Sequence, residues 1–391
     1  MKALDRKVVR DLRLLWSQAL TIALVVASGI GGFIASLSAV DSLALARDSF
    51  YEQARFADVF ATVKRAPDAL ARRLADVEGV IDVQPTVEAM GRVTVPGSPD
   101  PVVGQLIGLD LDVAQRLNRV GLRSGRLPEP GSRSGGELDA LVSEGFAQAH
   151  RLVPGSHVNA LVNGKLRKLR ITGTALSPEY IFAGLWGMPD LRAFGVFWVD
   201  KDELAAAMDM KGAFNRVALK LSPHASQHGV LDEVSRQLAG FGGLPAHRRA
   251  EQISHAILDN EIRGQQVMGT VLPSIFLAVA AFLLHVVAAR LVATQREQVA
   301  ALKALGYSDR AIALHYLKLV APMVGGGWLL GLALGKWMGT QLMGLYVETF
   351  KFPALNHTVA ASLVWVSLAI VALTAVLGTL TAIAATVRLQ P

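Results

Sequence analysis

Histidines and carboxylates are the residues of this sequence that could do chemistry, and their spacing decides which chemistry is open to them. Among nine histidines, His224 and His228 lie four apart, but within SPHASQHG, a stretch with the composition of a loop. The sequence has no HExxH, GxSxG or GxxxxGKS/T motif. It therefore predicts no catalytic residue, no metal site, no cofactor and no ATP hydrolysis by the chain itself.

A second polar stretch is Ser177-Pro178-Glu179-Tyr180. Glu179 and Tyr180 have neither a base nor a metal-ligand set nearby in the sequence, so we interpret the stretch as a structural turn. The absence of cysteine excludes disulfides, thiolate metal sites and cysteine nucleophiles. A membrane-embedded hydrolase is one possible function, but we find no nucleophile–base pair in the sequence to support it.

The composition is that of a membrane protein. Of the 391 residues, 52% are hydrophobic and 18% are charged, which leaves few charges for the surface of a soluble chain. The net charge of +7 could indicate nucleic-acid binding, but many basic residues flank hydrophobic runs, which membrane topology explains. We expect no nucleic-acid partner.

Four hydrophobic runs approach or exceed the roughly 20 residues needed to cross a bilayer. We predict transmembrane helices at residues 15–40, 267–289, 317–346 and 359–386, arranged as one span, a large domain and three spans. The first run is too long for the core of a signal peptide, and no clean cleavage site follows it, so we interpret it as a retained anchor. Residues 1–14 predict an amphipathic helix on the cytoplasmic surface.

Lysine and arginine in the short flanks set the orientation. They concentrate before the first span and in the 290–316 loop, whereas the 347–358 loop offers only Lys351. Both termini and the 290–316 loop are therefore expected in the cytoplasm, and residues 41–266 outside it. That segment mixes β-branched stretches with helical ones such as PDALARRLADVEG, which predicts an extracytoplasmic α+β domain ending in a helical stalk.

The cytoplasmic loop contains TQREQVAALKALGYSDRAI, which predicts a short amphipathic helix, a glycine turn and a new helix. The residues that carry this pattern are Arg296, Glu297, Val299, Leu302, Lys303, Leu305 and Gly306. Two interpretations stay open from these residues alone. The helix either connects two spans at the membrane surface or docks a cytoplasmic partner.

The stretch R-E-x-x-A-L-K-A-L-G, followed by D-R-A-I, resembles the signature of FtsX-like (MacB-type) permeases of ABC transporters. The one-plus-three layout and the external segments SGRLPEPG, LVSEGFAQAHRLVPGSHV and ITGTALSPEYIF are also similar to that family. The resemblance covers essentially the whole chain, with residues 267–386 as its permease domain. It implies an integral membrane protein of the bacterial inner membrane that is not itself an enzyme.

The same resemblance implies that Arg296 to Gly306 are the coupling helix of a subunit driven by a separate ABC ATPase. Apolar residues flanked by charges suit such a helix-in-groove contact. The implied mechanism is transmission of the ATPase's conformational change to the external domain, for export or release of a lipid, lipoprotein or peptide. The implied partners are the ATPase, a second permease copy or paralogue, membrane lipid and a periplasmic adaptor.

The chain departs from the family pattern at Tyr307, where alanine is commoner, and at its end, VRLQP, where relatives continue with a basic tail. Three explanations stay open: a clipped tail, the front half of a longer permease, or a short homodimeric subunit. A membrane-anchored sensor, or a regulator of an envelope enzyme, with a ligand-binding external domain is the alternative function.

Glycines in the third span form a further pattern: Gly325, Gly326, Gly327, Gly331 and Gly335. Small residues at helical spacing let membrane helices approach closely, so we predict a helix-packing face, with a dimer seam as one use of it. His285 and Lys336 are polar groups at or near membrane depth. We place both near the interfaces, where long side chains reach water, rather than in a proton relay.

Overall fold

The structure is a computed structural model that describes residues 3–98, 100–112, 114–129, 137–185, 188–294 and 308–387. The chain divides into two compact units. The helical unit comprises Met1–Ala44, Ile262–Tyr346 and Asn356–Pro391. The α/β unit comprises Leu45–Glu261 and Val347–Leu355.

Helices account for most of the helical unit and brace the sheets of the α/β unit. They are α1 (Ala3–Leu14), α2 (Trp16–Gln53), α3 (Asp68–Ala75), α4 (Glu144–His150), α5 (Lys201–Ala207), α6 (Gln227–Ala239), α7 (Ile253–Thr294), α8 (Asp309–Thr349) and α9 (Ala361–Val387). Two short 3-10 turns lie at Pro178–Tyr180 and Arg249–Glu251.

Four of the helices are long and apolar enough to cross a membrane: Trp16–Gln53, Ile253–Val287, Ala313–Thr349 and Ala361–Leu380. They follow the predicted order of one span, a large domain and three spans. Inside the unit they bury a shared core in which Ile22, Ile30 and Ile34 of α2 pack with Met323 of α8 and Val371 of α9. Hydropathy predicted these helices because a bilayer requires a run of apolar residues whatever the tertiary fold.

The strands all belong to the α/β unit. They are β1 (Val59–Pro67), β2 (Val80–Thr86), β3 (Glu88–Thr94), β4 (Val102–Leu109), β5 (Gly121–Gly125), β6 (Glu137–Ser143), β7 (His157–Val162), β8 (Lys165–Leu176), β9 (Gly184–Leu185), β10 (Met188–Pro189), β11 (Phe194–Asp200), β12 (Ala213–Leu221) and β13 (His247–Arg248). The predicted mixture of helices and strands is confirmed.

Two sheets organise this unit. The first has the order β13-β1-β12-β2, and α3 and α6 cover its buried face. The second has the order β5-β8-β6-β11-β4-β3-β7, and an additional pairing of β7 with β8 closes it on itself. Its interior holds large side chains such as Phe146 and Phe197, both fully buried.

Local signals account for several of these elements, with one departure. Pro67 is the N-cap residue of α3 in an extended conformation, and Gly79 beyond its end has φ of +88°, as the bracketing of PDALARRLADVEG by proline and glycine predicts. SPHASQHG is not a loop throughout. Ser226 caps α6 through a hydrogen bond from Gly229 N, so His228 lies in that helix while His224 precedes it.

Candidate functional site: the anchor turn

The predicted coupling residues, Arg296 to Gly306, lie outside the described residues. The described part of α7 ends at Thr294, and α8 begins at Asp309 with Ser308 Oγ accepting from Ala311 N at 3.3 Å. The role of Arg296, Glu297, Val299, Leu302, Lys303, Leu305 and Gly306 therefore stays a prediction.

Three of the five predicted packing glycines face α2. A Cβ atom added to Gly327 would lie 2.7 Å from Ala23 O, and one added to Gly331 would lie 2.8 Å from Ile30 Cβ. At Gly335 the nearest atom would be Ile34 Cβ, at 2.7 Å. This face is occupied by a helix of the same chain, which excludes a dimer seam built on these three glycines.

The other two glycines differ from them. A Cβ atom added to Gly325 or Gly326 would meet no atom within 4 Å. The packing face within the chain is therefore the four-residue repeat alone, which continues at Gly339.

A serine and a histidine do come together in the helical unit, contrary to the expectation that no such pair exists. Ser38 Oγ lies 2.8 Å from His357 Nε2, and His357 Nδ1 lies 3.2 Å from Thr340 Oγ1. Ser38 is fully buried, and a Cβ atom at Gly339 would lie 2.5 Å from the same His357 nitrogen. Because Ser38 is fully buried, we interpret this contact as one that holds the segment before α9 against α2.

The SPEYIF stretch, Ser177–Phe182, which we call the anchor turn, is where contacts converge in the α/β unit. Pro178 at its start and the Ser177 side chain, which accepts from Glu179 N at 3.3 Å, set up the 3-10 turn. The turn was predicted from these residues. The burial of Glu179, whose side chain is 9% exposed, was not.

Glu179 belongs to a buried charge cluster with Glu88 of β3 and Arg216 of β12. Arg216 donates from Nη2 to Glu179 Oε1 at 2.5 Å and from Nη1 to Glu88 Oε1. Gln105 Nε2 donates to the second oxygen of Glu88 at 2.9 Å. One guanidinium therefore serves two carboxylates, and it ties a strand of the first sheet to a strand of the second.

Backbone contacts reinforce this tie. Glu88 N donates to Asn215 Oδ1 at 2.8 Å, and Asn215 Nδ2 donates back to Glu88 O at 2.7 Å. The Arg216 guanidinium also lies 5.6 Å from the centre of the Phe60 ring, a cation–π contact. The cluster is thus held by directed bonds from both sheets.

The burial of this cluster shifts the pKa values of its side chains. Burial raises the pKa of Glu179 to about 7, with Arg216 opposing the rise and Glu88 adding to it. Burial alone would lower the pKa of Arg216, but Glu179 and Glu88 together raise it. Arg216 is therefore a permanent cation, whereas Glu179 changes its charge near neutral pH.

The anchor turn also holds the start of α7 and the segment after α8. Gln252 Nε2 donates to Glu179 O at 2.8 Å, and Phe182 N donates to Ser254 Oγ at 2.9 Å. Lys351 N donates to Ile181 O at 3.0 Å, and the Phe182 and Phe350 rings lie 6.2 Å apart. One six-residue turn thus bonds two segments that flank predicted membrane spans.

The ends of α2 and α7 that lie in the α/β unit are joined to each other. Tyr51 Oη and His255 Nδ1 are 3.0 Å apart, and Arg47 Nη1 donates to Asp259 Oδ1 at 3.2 Å. Arg249, just before α7, donates to Phe56 O and Ala57 O, both at 2.8 Å, and stacks on the Tyr51 and Phe56 rings. These bonds fix the end of α2 to the start of α7 within the α/β unit.

The four apolar helices and the inserted α/β unit define a multi-pass membrane protein. Residues 270–391 match the family model of the FtsX-like permease C-terminal domain, so the chain carries that domain. This match confirms, for residues 270–391, the resemblance to FtsX-like permeases of ABC transporters that was inferred from the loop signature.

Two solved structures are similar to the chain. One is the periplasmic region of MacB from Actinobacillus actinomycetemcomitans, with a TM-score of 0.33 and 12% identity, covering 52% of this chain and 91% of that one. The other is the extracellular domain of the noncanonic ABC-type transporter YknZ from Gram-positive bacteria, with a TM-score of 0.30 and 13% identity, covering 49% and 98%. No curated protein matches the chain.

Proposed function

We propose that the chain transmits the ATP-driven movement of a separate ATPase to its α/β unit, with that unit outside the cytoplasm and both termini inside. The observation that supports this most directly is the bonding of the first turn of α7 to the anchor turn through Gln252 and Ser254. The family of the C-terminal domain implies the ATPase.

Helix α7 is suited to carry a displacement. Its described part, Ile253–Thr294, is one helix of 42 residues, about 60 Å long at 1.5 Å per residue. Ser254, in its first turn, is 2% exposed and bonded to the anchor turn. Movement of the 290–316 loop would then reach the anchor turn along one continuous helix, although Pro273 removes one of its backbone hydrogen bonds.

The remaining elements of the proposal rest on the family and on charge. The excess of Lys and Arg at the first span and in the 290–316 loop supports a cytoplasmic location for both in a bacterial inner membrane. A dimer of permease subunits, contact with membrane lipid, a periplasmic adaptor, and export or release of a lipid, lipoprotein or peptide complete the proposal.

Docking is tested by changing Leu302 and Leu305 to Asp in the predicted coupling helix. We expect co-purification with the cognate ATPase, and stimulation of its ATP hydrolysis, to be lost because the apolar face of the helix becomes charged. Unchanged binding and stimulation would overturn the docking role.

Transmission is tested separately, at the anchor turn. Since the chain has no cysteine, a spin label on Arg72→Cys, an exposed position of α3, can report movement of the α/β unit between ATP-bound and ATP-free states. The double change Gln252→Ala and Ser254→Ala should keep ATPase binding. It should abolish the ATP-dependent change in the distance between the labels on the two copies of the proposed dimer.

Ser274→Ala is the matched control for transmission, because its hydroxyl bonds Thr270 O within α7 at 2.6 Å. It should behave as the unaltered protein does. If the label-to-label distance still changed with ATP in the Gln252→Ala, Ser254→Ala variant, transmission through the anchor turn would be contradicted.

A further inference from the structure

A cavity of about 450 Å³ opens beside the anchor turn, within the α/β unit. Glu88, Gln105, Glu179 and Arg216 line it, and so do Gln252 and Ile253 at the start of α7. Its volume lies in the range of small-molecule binding sites, roughly 300–1,000 Å³. The proposed transmission of movement makes no use of this space.

The polar wall of the cavity has an excess of negative charge. Glu88 and Glu179 face a single guanidinium, that of Arg216, so with both carboxylates ionised the cluster carries one uncompensated negative charge. Burial and the nearby Arg216 lower the pKa of His247, which also lines the cavity, so at neutral pH it supplies no balancing charge. A buried surplus charge is costly unless a counter-charge joins it.

The two carboxylates also retain capacity to accept hydrogen bonds. Glu88 accepts from Arg216 and Gln105, and Glu179 accepts from Arg216 and Asn118. These bonds use about half of the roughly four acceptor positions that an ionised carboxylate offers. A protonated amine, with three donors and a positive charge, would satisfy both the charge and the vacant positions.

The lining of the cavity also includes large apolar side chains. Phe182 and Phe194 are buried in its wall at 7% and 6% exposure, whereas Met90 and Ile253 stand at 63% and 67% exposure. Large apolar side chains exposed at a cavity with a charged floor are typical of a ligand site, because an apolar ligand body would cover them.

We propose that this cavity binds a small organic cation, in which a protonated amine reaches Glu88 and Glu179 and an attached apolar body lies against Met90, Phe194 and Ile253. The bound molecule would contact the first residue of α7. The inference goes beyond ATPase coupling and does not depend on it, since the cavity is complete within one chain.

The test uses the full chain in nanodiscs of phosphatidylcholine, with empty nanodiscs as the blank, at about pH 8 so that Glu179 is ionised. The probes are 4-phenylbutylamine, 4-phenylbutan-1-ol and 4-phenylbutyrate, which share one apolar body and differ in charge. We expect the amine to bind at least tenfold more tightly than the alcohol, and the carboxylate more weakly still. Equal affinities, or no binding of the amine, would overturn the proposal.

Two variants localise the binding. Met90→Lys places an ammonium group at the rim of the cavity without disturbing the buried cluster, and it should weaken amine binding at least tenfold. Leu127→Lys, a similar change at a 53% exposed leucine that does not line the cavity, should leave amine affinity unchanged. Equal effects of the two lysines would place the amine elsewhere.

Glu179→Gln removes the surplus charge and keeps the side-chain volume. It should bring the affinity for the amine down to that for the alcohol while the alcohol's own affinity changes little. This loss of discrimination is a readout that general destabilisation would not produce, because unfolding would weaken both ligands together. Retained preference for the amine would show that Glu179 does not recognise the charge.

Discussion

The glycine face of α8 and the anchor turn hold their neighbours by opposite means. At Gly327, Gly331 and Gly335 the backbone of α8 approaches the backbone and apolar side chains of α2, whereas the anchor turn depends on Arg216, Glu179 and hydrogen bonds. The contact at the glycine face does not depend on charge, but it leaves no space for a larger side chain at these positions. The anchor turn tolerates small changes of shape but depends on pH and on the presence of every partner.

The largest effect is expected from Arg216→Met, which leaves Glu88 and Glu179 in the interior without their cation. Removing one partner of a buried ion cluster costs about 3–5 kcal/mol of unfolding free energy. Thermal unfolding of the full chain in detergent measures this loss.

The matched control for Arg216 is Arg236→Met, which removes an exposed arginine paired with Glu233 one turn away on α6. Surface pairs of this kind contribute about 0.5 kcal/mol or less. If Arg216→Met were no more harmful than Arg236→Met, the cluster would not hold the sheets together, and the contrast with the glycine face would fail.

Glu179 should make the unfolding free energy depend on pH, with a total change nearly as large as the loss expected from Arg216→Met. Its pKa is raised to about 7 in the folded protein from its usual value of 4.5, so the folded state binds the proton more tightly than the unfolded state does. The unfolding free energy therefore falls as pH rises from about 4.5 to about 7, by at most about 3 kcal/mol.

The variant Glu179→Gln has no titrating group at this position, and this sharpens the measurement. At about pH 5 the variant and the unaltered protein should have similar stability, because Glu179 is then protonated. At about pH 8 the variant should be the more stable one. A variant that is less stable at pH 8 would mean that the ionised Glu179 gains more from Arg216 than it loses by burial.

An intermediate effect is expected at the glycine face. Gly331→Val must displace Ile30, whose Cβ would lie 2.8 Å from the new Cβ. Overpacking of this kind lowers the unfolding free energy by about 1–3 kcal/mol. Gly325→Val is the control, since it carries the same helix propensity on the same helix but meets no atom within 4 Å. The measured quantity is the difference in unfolding temperature between the two variants, which should not change with pH. Equal temperatures would mean that α8 can move away from α2 at little cost.

Sequence reasoning succeeded where the physical cause is local and failed where it is not. Hydropathy predicted the membrane helices because the pattern lies along one helix. The five glycines of α8 predicted a packing face, and three of them, Gly327, Gly331 and Gly335, contact α2 while Gly325 and Gly326 do not. Arg216 is 128 residues from Glu88 and 37 from Glu179, so no window of sequence brings these charges together. A proline after Ser177 indicated the turn but could not indicate the cavity beside it.

The smallest effect is expected where α2 and α7 meet in the α/β unit. Arg47 and Asp259 are 18% and 25% exposed and lie 3.2 Å apart, so solvent screens much of their attraction, and either reversal, Arg47→Asp or Asp259→Arg, should cost about 1 kcal/mol. The double reversal should recover part of that loss, which a double-mutant cycle on unfolding free energies would measure. Arg47 also bonds its neighbour Asp48 at 2.8 Å, so recovery will be incomplete. Because this pair joins α2 to α7, the helix proposed to carry the displacement, the single reversals should reduce the ATP-dependent movement of a label at position 72 by more than their small cost in stability suggests. If both reversals left that movement unchanged, α7 would act without α2, and the anchor turn alone would carry the displacement.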